Sequence, residues 1–246
     1  MSGLCIDGLA VARGGRRLVE ALHCQADAGS VTAILGPNGA GKSTLLRMLA
    51  GVLPGAGAQA RWRERRLDAH TRAELAQVFS WQGPVDDADF GLRVEERLCL
   101  AAGRWSGPRA ETVLGQLDVK HLMARPLAEL SSGERQRVEV AAAMLRDTPV
   151  LLLDEPTAHL DLRHQGACLR LMRRQVGTEG RIVLAVLHDV AQATAVADRL
   201  VLLYGDGKSE AGPAAQMLAP ARLEALYGMP MRAIDGGVLP DFGGMT

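Results

Sequence analysis

The stretch Gly36-Pro37-Asn38-Gly39-Ala40-Gly41-Lys42-Ser43 matches the pattern G-x-x-x-x-G-K-[ST] and determines how this 246-residue chain is interpreted. An apolar run at residues 31–35, typical of a buried strand, comes directly before it. After it, the apolar side chains of residues 45–49 fall on one helical face. A glycine-rich turn between a strand and a helix directs backbone N–H groups at phosphate oxygens, next to the positive N-terminus of the helix. The stretch therefore predicts a strand–loop–helix unit that binds phosphate.

The end of this loop carries the two side chains that a nucleotide site needs. The charge of Lys42 can neutralise the β- and γ-phosphates, and the Ser43 hydroxyl can bind Mg²⁺. The alternative is a glycine-rich turn whose lysine has no ligand, but a loop between a strand and a helix favours a nucleotide site. The residues expected at the phosphates are Gly36, Pro37, Asn38, Gly39, Ala40, Gly41, Lys42, Ser43 and Thr44.

Two more aliphatic runs end in polar residues. Residues 150–153 lead into Asp154 and Glu155, and residues 182–187 lead into His188. Near-continuous aliphatic runs are typical of parallel strands covered by helices on both faces, and ligands of such sheets bind beyond the carboxyl ends of the strands. We therefore expect these polar side chains to meet at one edge of a sheet, beside the phosphate loop.

This placement predicts a role for each of the three side chains. Asp154 can hold Mg²⁺ through water, and Glu155 can accept a proton from, or orient, the water that attacks the γ-phosphate. The alternative for the carboxylates is a solvated surface pair, and for His188 it is a hydrogen-bonded structural residue. Their positions at the strand ends favour the catalytic interpretation.

The composition is that of an ordinary globular protein, with 48% hydrophobic and 23% charged residues. The formal net charge is zero, which argues against a whole-surface grip on nucleic acid or anionic lipid. No apolar run approaches the roughly 18 residues of a membrane helix, and the N-terminus lacks the order of a signal peptide. The four cysteines are widely spaced and predict reduced thiols. We expect one cytosolic domain, residues 1–246, without a membrane span.

The pattern becomes helical from about residue 84 to about residue 128, with helix-like spacing at 92–102 and 110–122. The stretch Leu130-Ser131-Ser132-Gly133-Glu134-Arg135-Gln136-Arg137 then precedes a further helix. Because Ser131 and Glu134 have capping-box spacing, the simplest interpretation is an ordinary capped helix. A helix N-terminus with a glycine and hydroxyls is also an anion site. Beyond residue 212 we expect a short helix at 219–227 and a Gly/Pro-rich tail.

The sequence resembles the nucleotide-binding subunits of ABC transporters over nearly its whole length. The motifs of that family occur in order: Walker A at 36–43, the Q-loop Gln82, the signature at 130–134, Walker B at 150–154 followed by Glu155, the D-loop up to Asp161, and the switch histidine His188. The resemblance implies an α/β P-loop NTPase fold with a mostly parallel core sheet flanked by helices and an N-terminal antiparallel β subdomain. It also implies a helical subdomain at 84–148, inserted in the RecA-like core and carrying the signature.

The resemblance further implies that ATP is bound between two copies of the chain. In that family the copies face head to tail, and each ATP lies between the Walker A of one subunit and the signature of the other. The residues assigned in this way to nucleotide bound on the partner are Ser131, Ser132, Gly133, Glu134 and Asp161.

The same resemblance implies ATP and Mg²⁺ as cofactors. Gln82 would sense the nucleotide and link it to the helical insertion, where transmembrane subunits dock. The implied catalytic residues are Glu155, His188 and Gln82, and the implied metal ligands are Ser43, Gln82 and Asp154.

The chain departs from the family pattern at the signature and at the adenine. Ser132 stands where the signature usually has glycine, and Glu134 stands where glutamine is common. Ser132 is small enough to keep the phosphate contact, although hydrolysis can be slower. The family also tends to stack an aromatic on adenine, and the stretch Val11-Ala12-Arg13-Gly14-Gly15 has none. Arg13 can stack its guanidinium on the base or be solvated, and the residues leave both readings open.

Residues 155–165, 188–193, 197–200 and 223–229 resemble one importer subgroup, which serves ferric-siderophore, haem and vitamin B12 uptake. The expected function is therefore the ATPase subunit of such an importer, peripheral on the cytoplasmic face of the bacterial inner membrane. Its partners would be a second copy of itself, two transmembrane permease subunits and, indirectly, a periplasmic or extracellular substrate-binding protein, with no nucleic acid. His159 and His164 are interpreted as satisfied or solvated histidines rather than metal ligands.

Other classes stay open. An ABC ATPase of translation or DNA repair, which has no membrane partner, usually carries tandem domains or a long coiled-coil insertion, and neither is visible here. An exporter-associated ATPase would use the same power stroke. The altered signature also keeps open a nucleotide-dependent interaction module with little hydrolysis.

Overall fold

The computed structural model describes residues 3–83, 91–103, 105–241 and 243. The strands are β1 (Gly3–Arg13), β2 (Arg16–Asp27), β3 (Val31–Leu35), β4 (Ala60–Trp62), β5 (Arg65–Arg66), β6 (Phe79–Gln82), β7 (Val150–Asp154), β8 (Ile182–Val186), β9 (Arg199–Leu203), β10 (Ser209–Pro213), β11 (Met231–Ile234) and β12 (Gly237–Pro240). The α-helices are α1 (Lys42–Leu49), α2 (Arg72–Val78), α3 (Val94–Ala102), α4 (Pro108–Gln116), α5 (Ser132–Leu145), α6 (Leu162–Gly177), α7 (Val190–Val196), α8 (Ala214–Met217) and α9 (Pro220–Tyr227).

A six-stranded sheet forms the centre of the molecule, in the order β10-β9-β3-β8-β7-β6. Its strands are parallel except for β10, which pairs antiparallel with β9 at the edge. Every residue of β3, β7 and β8 is buried, as their unbroken aliphatic sequences predict. Val186 of β8 lies between Ile34 of β3 on one side and Asp154 of β7 on the other. The carboxyl ends of the three strands therefore coincide. The predicted meeting of polar residues at one sheet edge is confirmed.

Successive residues of each central strand enter two separate cores. Val150 and Leu152 pack on one side with Leu45 and Leu46 of α1, whereas Leu151 and Leu153 pack on the other side with α5, α6 and α7. The first core is closed by an antiparallel sheet in the order β2-β1-β4-β5. The predicted N-terminal antiparallel β subdomain is thus confirmed, and it covers the face that carries the phosphate loop's helix.

The inserted region is helical, with boundaries that differ from those predicted. Helix α3 begins at Val94, because the backbone oxygen of Leu92 accepts a hydrogen bond from Leu127 N in an extended segment. Helix α4 begins earlier than predicted, with Pro108 in its first turn, and ends at Gln116. Asp118 then has φ +52°, which no helix continues through, and a single 3₁₀ turn follows at Lys120–Leu122. The boundaries 84–148 remain a prediction, and residues 84–90 lie outside the described part of the chain.

The C-terminal region contains α9, close to its predicted position, and a hairpin that composition alone did not indicate. Strands β11 and β12 pair antiparallel around Gly236, whose φ of +80° suits glycine in a tight turn. The hairpin packs on α7 and α9 and adds Met231 and Val238 to the larger core. Nowhere in the described residues is a helix both long and apolar enough to cross a membrane.

The burial of the cysteines gives a direct test of this packing. Burial raises the pKa of Cys24 to about 11 and that of Cys168 to about 12, whereas Cys5 and Cys99 are exposed. Because the thiolate is the reactive form, a raised pKa slows reaction at about pH 8. We expect Cys5 and Cys99 to react fast with a thiol reagent in the native protein, and all four cysteines to react in denaturant. The Cys5→Ser/Cys99→Ser variant should lose the fast phase, and a fast phase that persists would contradict the fold.

Candidate active site

The phosphate loop connects β3 to α1 through positions that need glycine. Gly36 has φ +155°, and a Cβ there would lie 2.2 Å from the backbone oxygen of Leu203 on β9. Gly41 has φ +97°, and a Cβ there would approach Leu18 and Val11 of the antiparallel sheet at 3.2 and 3.3 Å. The loop is therefore pressed between the two sheets, and this close packing holds its backbone in place.

Lys42 lies inside the loop that precedes it. Its side chain is buried, and Nζ donates hydrogen bonds to the backbone oxygens of Gly36 at 2.7 Å and Pro37 at 3.0 Å. Burial lowers the pKa of Lys42, and the nearby charges of Glu155 and Asp154 oppose that shift. The loop thus holds a positive charge at the place where the sequence predicts the β- and γ-phosphates.

Ser43 and Asp154 meet across the end of the sheet. The Ser43 hydroxyl donates to Oδ1 of Asp154 at 2.9 Å, and Asp154 is only 3% exposed. Burial raises the pKa of Asp154, while the Ser43 hydrogen bond lowers it and the charge of Glu155 raises it further. The second carboxylate oxygen, Oδ2, is buried and has no hydrogen-bond partner. An orphaned buried carboxylate oxygen is what a cation would satisfy.

Gln82 ends β6, opposite Leu153 in the parallel register, which brings it to the same edge. Its Nε2 donates to the backbone oxygen of Gly83 at 2.6 Å, and its Oε1 is buried without a partner. Hydroxyl, carboxylate and amide oxygens are the hard ligands that Mg²⁺ prefers, together with substrate phosphates. Ser43, Asp154 and Gln82 therefore fit the metal site predicted for them. The described residues contain no cluster of three or more His, Cys, Asp or Glu side chains that could form another metal site.

Glu155 and His188 follow neighbouring strands and contact each other. Nε2 of His188 lies 2.6 Å from Oε1 of Glu155, and both side chains are partly exposed. Glu155 has φ +54°, in the left-handed region, and it precedes a proline, which further restricts its backbone. Such a conformation costs on the order of 1 kcal/mol or more and marks a residue held in place by its surroundings. The pair is therefore a positioned carboxylate with a histidine beside it.

A cleft of ≈ 280 Å³ opens over the phosphate loop and brings part of it together with Glu155, whereas His188, Gln82 and Asp154 do not line this cleft. Its described lining consists of Arg13, Leu18, Asn38, Gly39, Gly41, Lys42, Ser43, Thr44 and Glu155. Arg13 lines this cleft with an exposed side chain, and its contact with the base stays a prediction beside solvation. Leu18 was not predicted, because an isolated leucine on β2 carries no signal that distinguishes it from other strand residues.

The signature residues lie on a different part of the surface. Ser131 caps α5, and its Oγ accepts a hydrogen bond from Glu134 N at 3.3 Å. The Glu134 carboxylate accepts from both the backbone N–H and the hydroxyl of Ser131, each at 2.8 Å, so the predicted capping box is confirmed. These bonds lower the pKa of Glu134, which keeps it charged. Ser131 and Ser132 are exposed, and neither they nor Gly133 line the cleft that holds Lys42.

Asp161 caps the next helix. Its Oδ1 accepts from His164 N at 2.9 Å and lies 3.0 Å from His164 Nδ1, and these bonds lower the pKa of Asp161. His164 is therefore satisfied at Nδ1 only, because its Nε2 is buried without a hydrogen-bond partner, and His159 is exposed with φ +61°. Asp161 does not line the Lys42 cleft either. Within one chain the predicted site is divided between two surfaces.

Comparison with known proteins gives one consistent family. Residues 19–158 match the family model described as ABC transporter. The chain is similar to the hemin import ATP-binding protein HmuV of Streptomyces coelicolor, with 38% identity over 232 residues, 91% of this chain and 82% of the relative. It is equally similar to HmuV of Pseudomonas putida, with 38% identity over 240 residues and 92% of each chain. A solved ATP-binding subunit of an ABC transporter aligns with a TM-score of 0.76 and 25% identity, over 93% of this chain and 95% of that one.

Gly36→Ala tests whether the packing at Leu203 holds the phosphate loop. Because the new Cβ would meet a backbone oxygen, we expect a loss of about 2–3 kcal/mol in the free energy of unfolding and a nucleotide affinity at least about 10-fold weaker. Gly39→Ala is the matched control, since its φ is also positive but its Cβ meets nothing within 4 Å. Thermal unfolding and nucleotide titration measure both effects, and equal behaviour of the two variants would contradict the role of the contact.

Proposed function

This chain belongs to the ABC transporter family of ATP-binding proteins, and we propose that it is the ATPase subunit of a bacterial importer for haem or a related iron chelate. As a member of that family it binds nucleotide and hydrolyses ATP. The observation that carries the ATPase role is the Glu155–His188 pair at 2.6 Å, set at adjoining strand ends beside Lys42, and the importer role is carried by the relatives named for hemin import.

The proposed reaction is hydrolysis of ATP to ADP and phosphate. Lys42 and the backbone N–H groups of its loop hold the β- and γ-phosphates, and Glu155 accepts the proton of the attacking water. His188 holds the Glu155 carboxylate toward that water. Mg²⁺ held near Ser43, Asp154 and Gln82 would neutralise charge on the phosphates.

A second copy of the chain completes the site in this proposal. The Lys42 cleft would contact a nucleotide from one side, and the signature turn is exposed elsewhere on the same chain. That turn starts a helix of 14 residues, whose N-terminus attracts anions. A head-to-tail dimer would bring Ser131, Ser132 and Gly133 of one copy to the γ-phosphate on the other, with Asp161 nearby.

Two permease subunits are the proposed membrane partners. A groove of ≈ 480 Å³ runs between the core and the helical region, with Val52, Phe79 and Trp81 on one side and Ala101 and Arg146 on the other. Val52 is 54% exposed and Leu100, next to Ala101, is 70% exposed. The lining also includes Arg72, Arg97 and Glu139, so the groove offers both apolar and charged contacts to a short helix of a permease. This chain would then sit on the cytoplasmic face of the inner membrane.

The cargo is proposed from the relatives alone. Those at 38% identity over most of the chain are named for hemin import. Ferric siderophores and vitamin B12 are the other cargoes of the subgroup that the sequence resembles. A periplasmic or extracellular binding protein would deliver the cargo to the permease and would not contact this chain.

One observation favours a second candidate, a nucleotide-dependent interaction module with little hydrolysis. The Glu134 carboxylate occupies both the N–H and the hydroxyl of Ser131, which are the groups the partner's phosphate would need. Turnover of the partner-bound complex separates the two candidates.

Lys42→Ala and Glu155→Gln should separate nucleotide binding from catalysis. Removing the charge of Lys42 should weaken ATP binding at least about 10-fold, since a charge–phosphate hydrogen bond is lost. Glu155→Gln should keep the ATP affinity within about 3-fold and lower turnover about 100-fold or more, because a general base is lost. Glu210→Gln is the control. It changes a carboxylate that accepts hydrogen bonds from Tyr204 and Arg222. Near-normal hydrolysis by Glu155→Gln would contradict the role of Glu155 as the general base.

The transport proposal is tested by purifying the tagged chain from detergent-solubilised native membranes. We expect a polytopic membrane protein to copurify and, after reconstitution in liposomes, ATP-dependent haem uptake that Glu155→Gln abolishes. Uptake of a ferric siderophore or of vitamin B12 instead would correct the cargo. A chain that hydrolyses ATP and copurifies with no membrane protein would contradict the importer.

A further inference from the structure

A side chain of the signature helix reaches the backbone of the proposed base. Gln136 lies on α5 and is 3% exposed, and its Nε2 donates to the backbone oxygen of Glu155 at 2.9 Å. The two residues are distant in sequence and belong to different regions, the helical insertion and the end of β7. This bond therefore joins the signature helix to the catalytic strand end.

The oxygen that accepts this bond belongs to a backbone that needs support. Glu155 has φ +54° and is followed by Pro156, a combination that few residues adopt. Its carbonyl oxygen accepts a second hydrogen bond from Ala158 N at 3.0 Å. The two bonds fix the direction of the carbonyl group, and with it the conformation that points the Glu155 side chain at His188 and into the Lys42 cleft.

We propose that Gln136 is a positioning residue for Glu155, and that it acts by holding the carbonyl group of the base in this left-handed conformation. The proposal rests on the proposed function, in which Glu155 accepts a proton from water. Without the Gln136 amide, the backbone of Glu155 can relax toward an extended conformation, which would turn the carboxylate away from the γ-phosphate. A displacement of about 1 Å at a reacting group can cost about 100-fold in rate.

The same helical face makes a second contact with the segment that follows the base. Gly133 lies one turn before Gln136, and a Cβ there would be 2.9 Å from the backbone oxygen of His159. The signature turn and residues 155–159 are therefore packed as one unit. If the signature contacts nucleotide on a second copy, Gln136 transmits the position of that contact to the base of its own chain.

Two variants of Gln136 test the role of its N–H group. Gln136→Leu removes the amide, and Gln136→Met keeps the length of the side chain but has no hydrogen-bond donor. We expect both to lower kcat for ATP by about 10- to 100-fold, while KM and the ATP dissociation constant stay within about 3-fold. A kcat of Gln136→Met equal to that of the wild type would overturn the proposal, because it would assign Gln136 a packing role.

Gln175→Leu is the matched control. Gln175 is also a fully buried glutamine, but its amide bonds with Glu179 and Arg181, before the amino end of β8 and away from the cleft. Its loss should lower the melting temperature and leave kcat unchanged. If Gln175→Leu lowers kcat as much as Gln136→Leu at equal loss of melting temperature, the effect is one of stability and the proposal is wrong.

A double variant separates this proposal from the proposed function. In the Glu155→Gln background, single-turnover hydrolysis should not fall further when Gln136→Leu is added, because the amide acts through the carboxylate. An equal fall in both backgrounds would show that Gln136 acts independently of Glu155 and would overturn the proposal. If Glu155→Gln alone hydrolyses ATP normally, the proposed function of Glu155 fails instead, and with it the premise of this inference.

Discussion

The structure depends on the parallel pairing of β3, β8 and β7. Each strand is an unbroken buried aliphatic run, so each can pair only inside a sheet that is covered on both faces. Their shared register brings the phosphate loop, the Asp154–Glu155 pair and His188 to one edge, although they are far apart in sequence. The hydrogen bond of 2.9 Å between Ser43 and Asp154 is a direct result of this alignment. The sheet thus brings together functional groups that no single segment of the chain contains.

The sheet also maintains unfavourable local conformations at the candidate active site. Gly36 passes so close to Leu203 that no other residue fits, and Glu155 has a positive φ in front of a proline. Lys42 and Asp154 are both buried. Burial lowers the pKa of Lys42 and raises that of Asp154, which favours the neutral form of each side chain. Such costs persist only where the surroundings determine the backbone completely. Here those surroundings are two cores that use alternate residues of the same strands.

The sequence predicts those parts of the molecule in which a local pattern determines the outcome. Aliphatic runs predict the buried strands to within a residue, and the spacing of Ser131 and Glu134 predicts the capping box. Helix boundaries in the insertion are less predictable, because Asp118 has a positive φ that the sequence pattern does not predict. The position of Leu18 in the cleft and the bond from Gln136 to Glu155 depend on contacts between distant segments. No periodicity or motif encodes such contacts.

The balance of charge supports the proposal that a second copy completes the site. A triphosphate brings several negative charges, and the described cleft meets them with Lys42 and Arg13 while adding the carboxylate of Glu155. In the proposed dimer, the remaining neutralisation would come from a cation near Asp154 and from the exposed N-terminus of α5 of the second copy. Glu134 weakens that contribution, because its hydrogen bonds with Ser131 keep a negative charge in the first turn of the helix. A site of this kind depends more on its metal and on Lys42 than one with an uncharged signature. In the proposed dimer, the backbone link from Gln136 to Glu155 would connect the signature helix, which contacts nucleotide on the second copy, to the proposed base of its own chain.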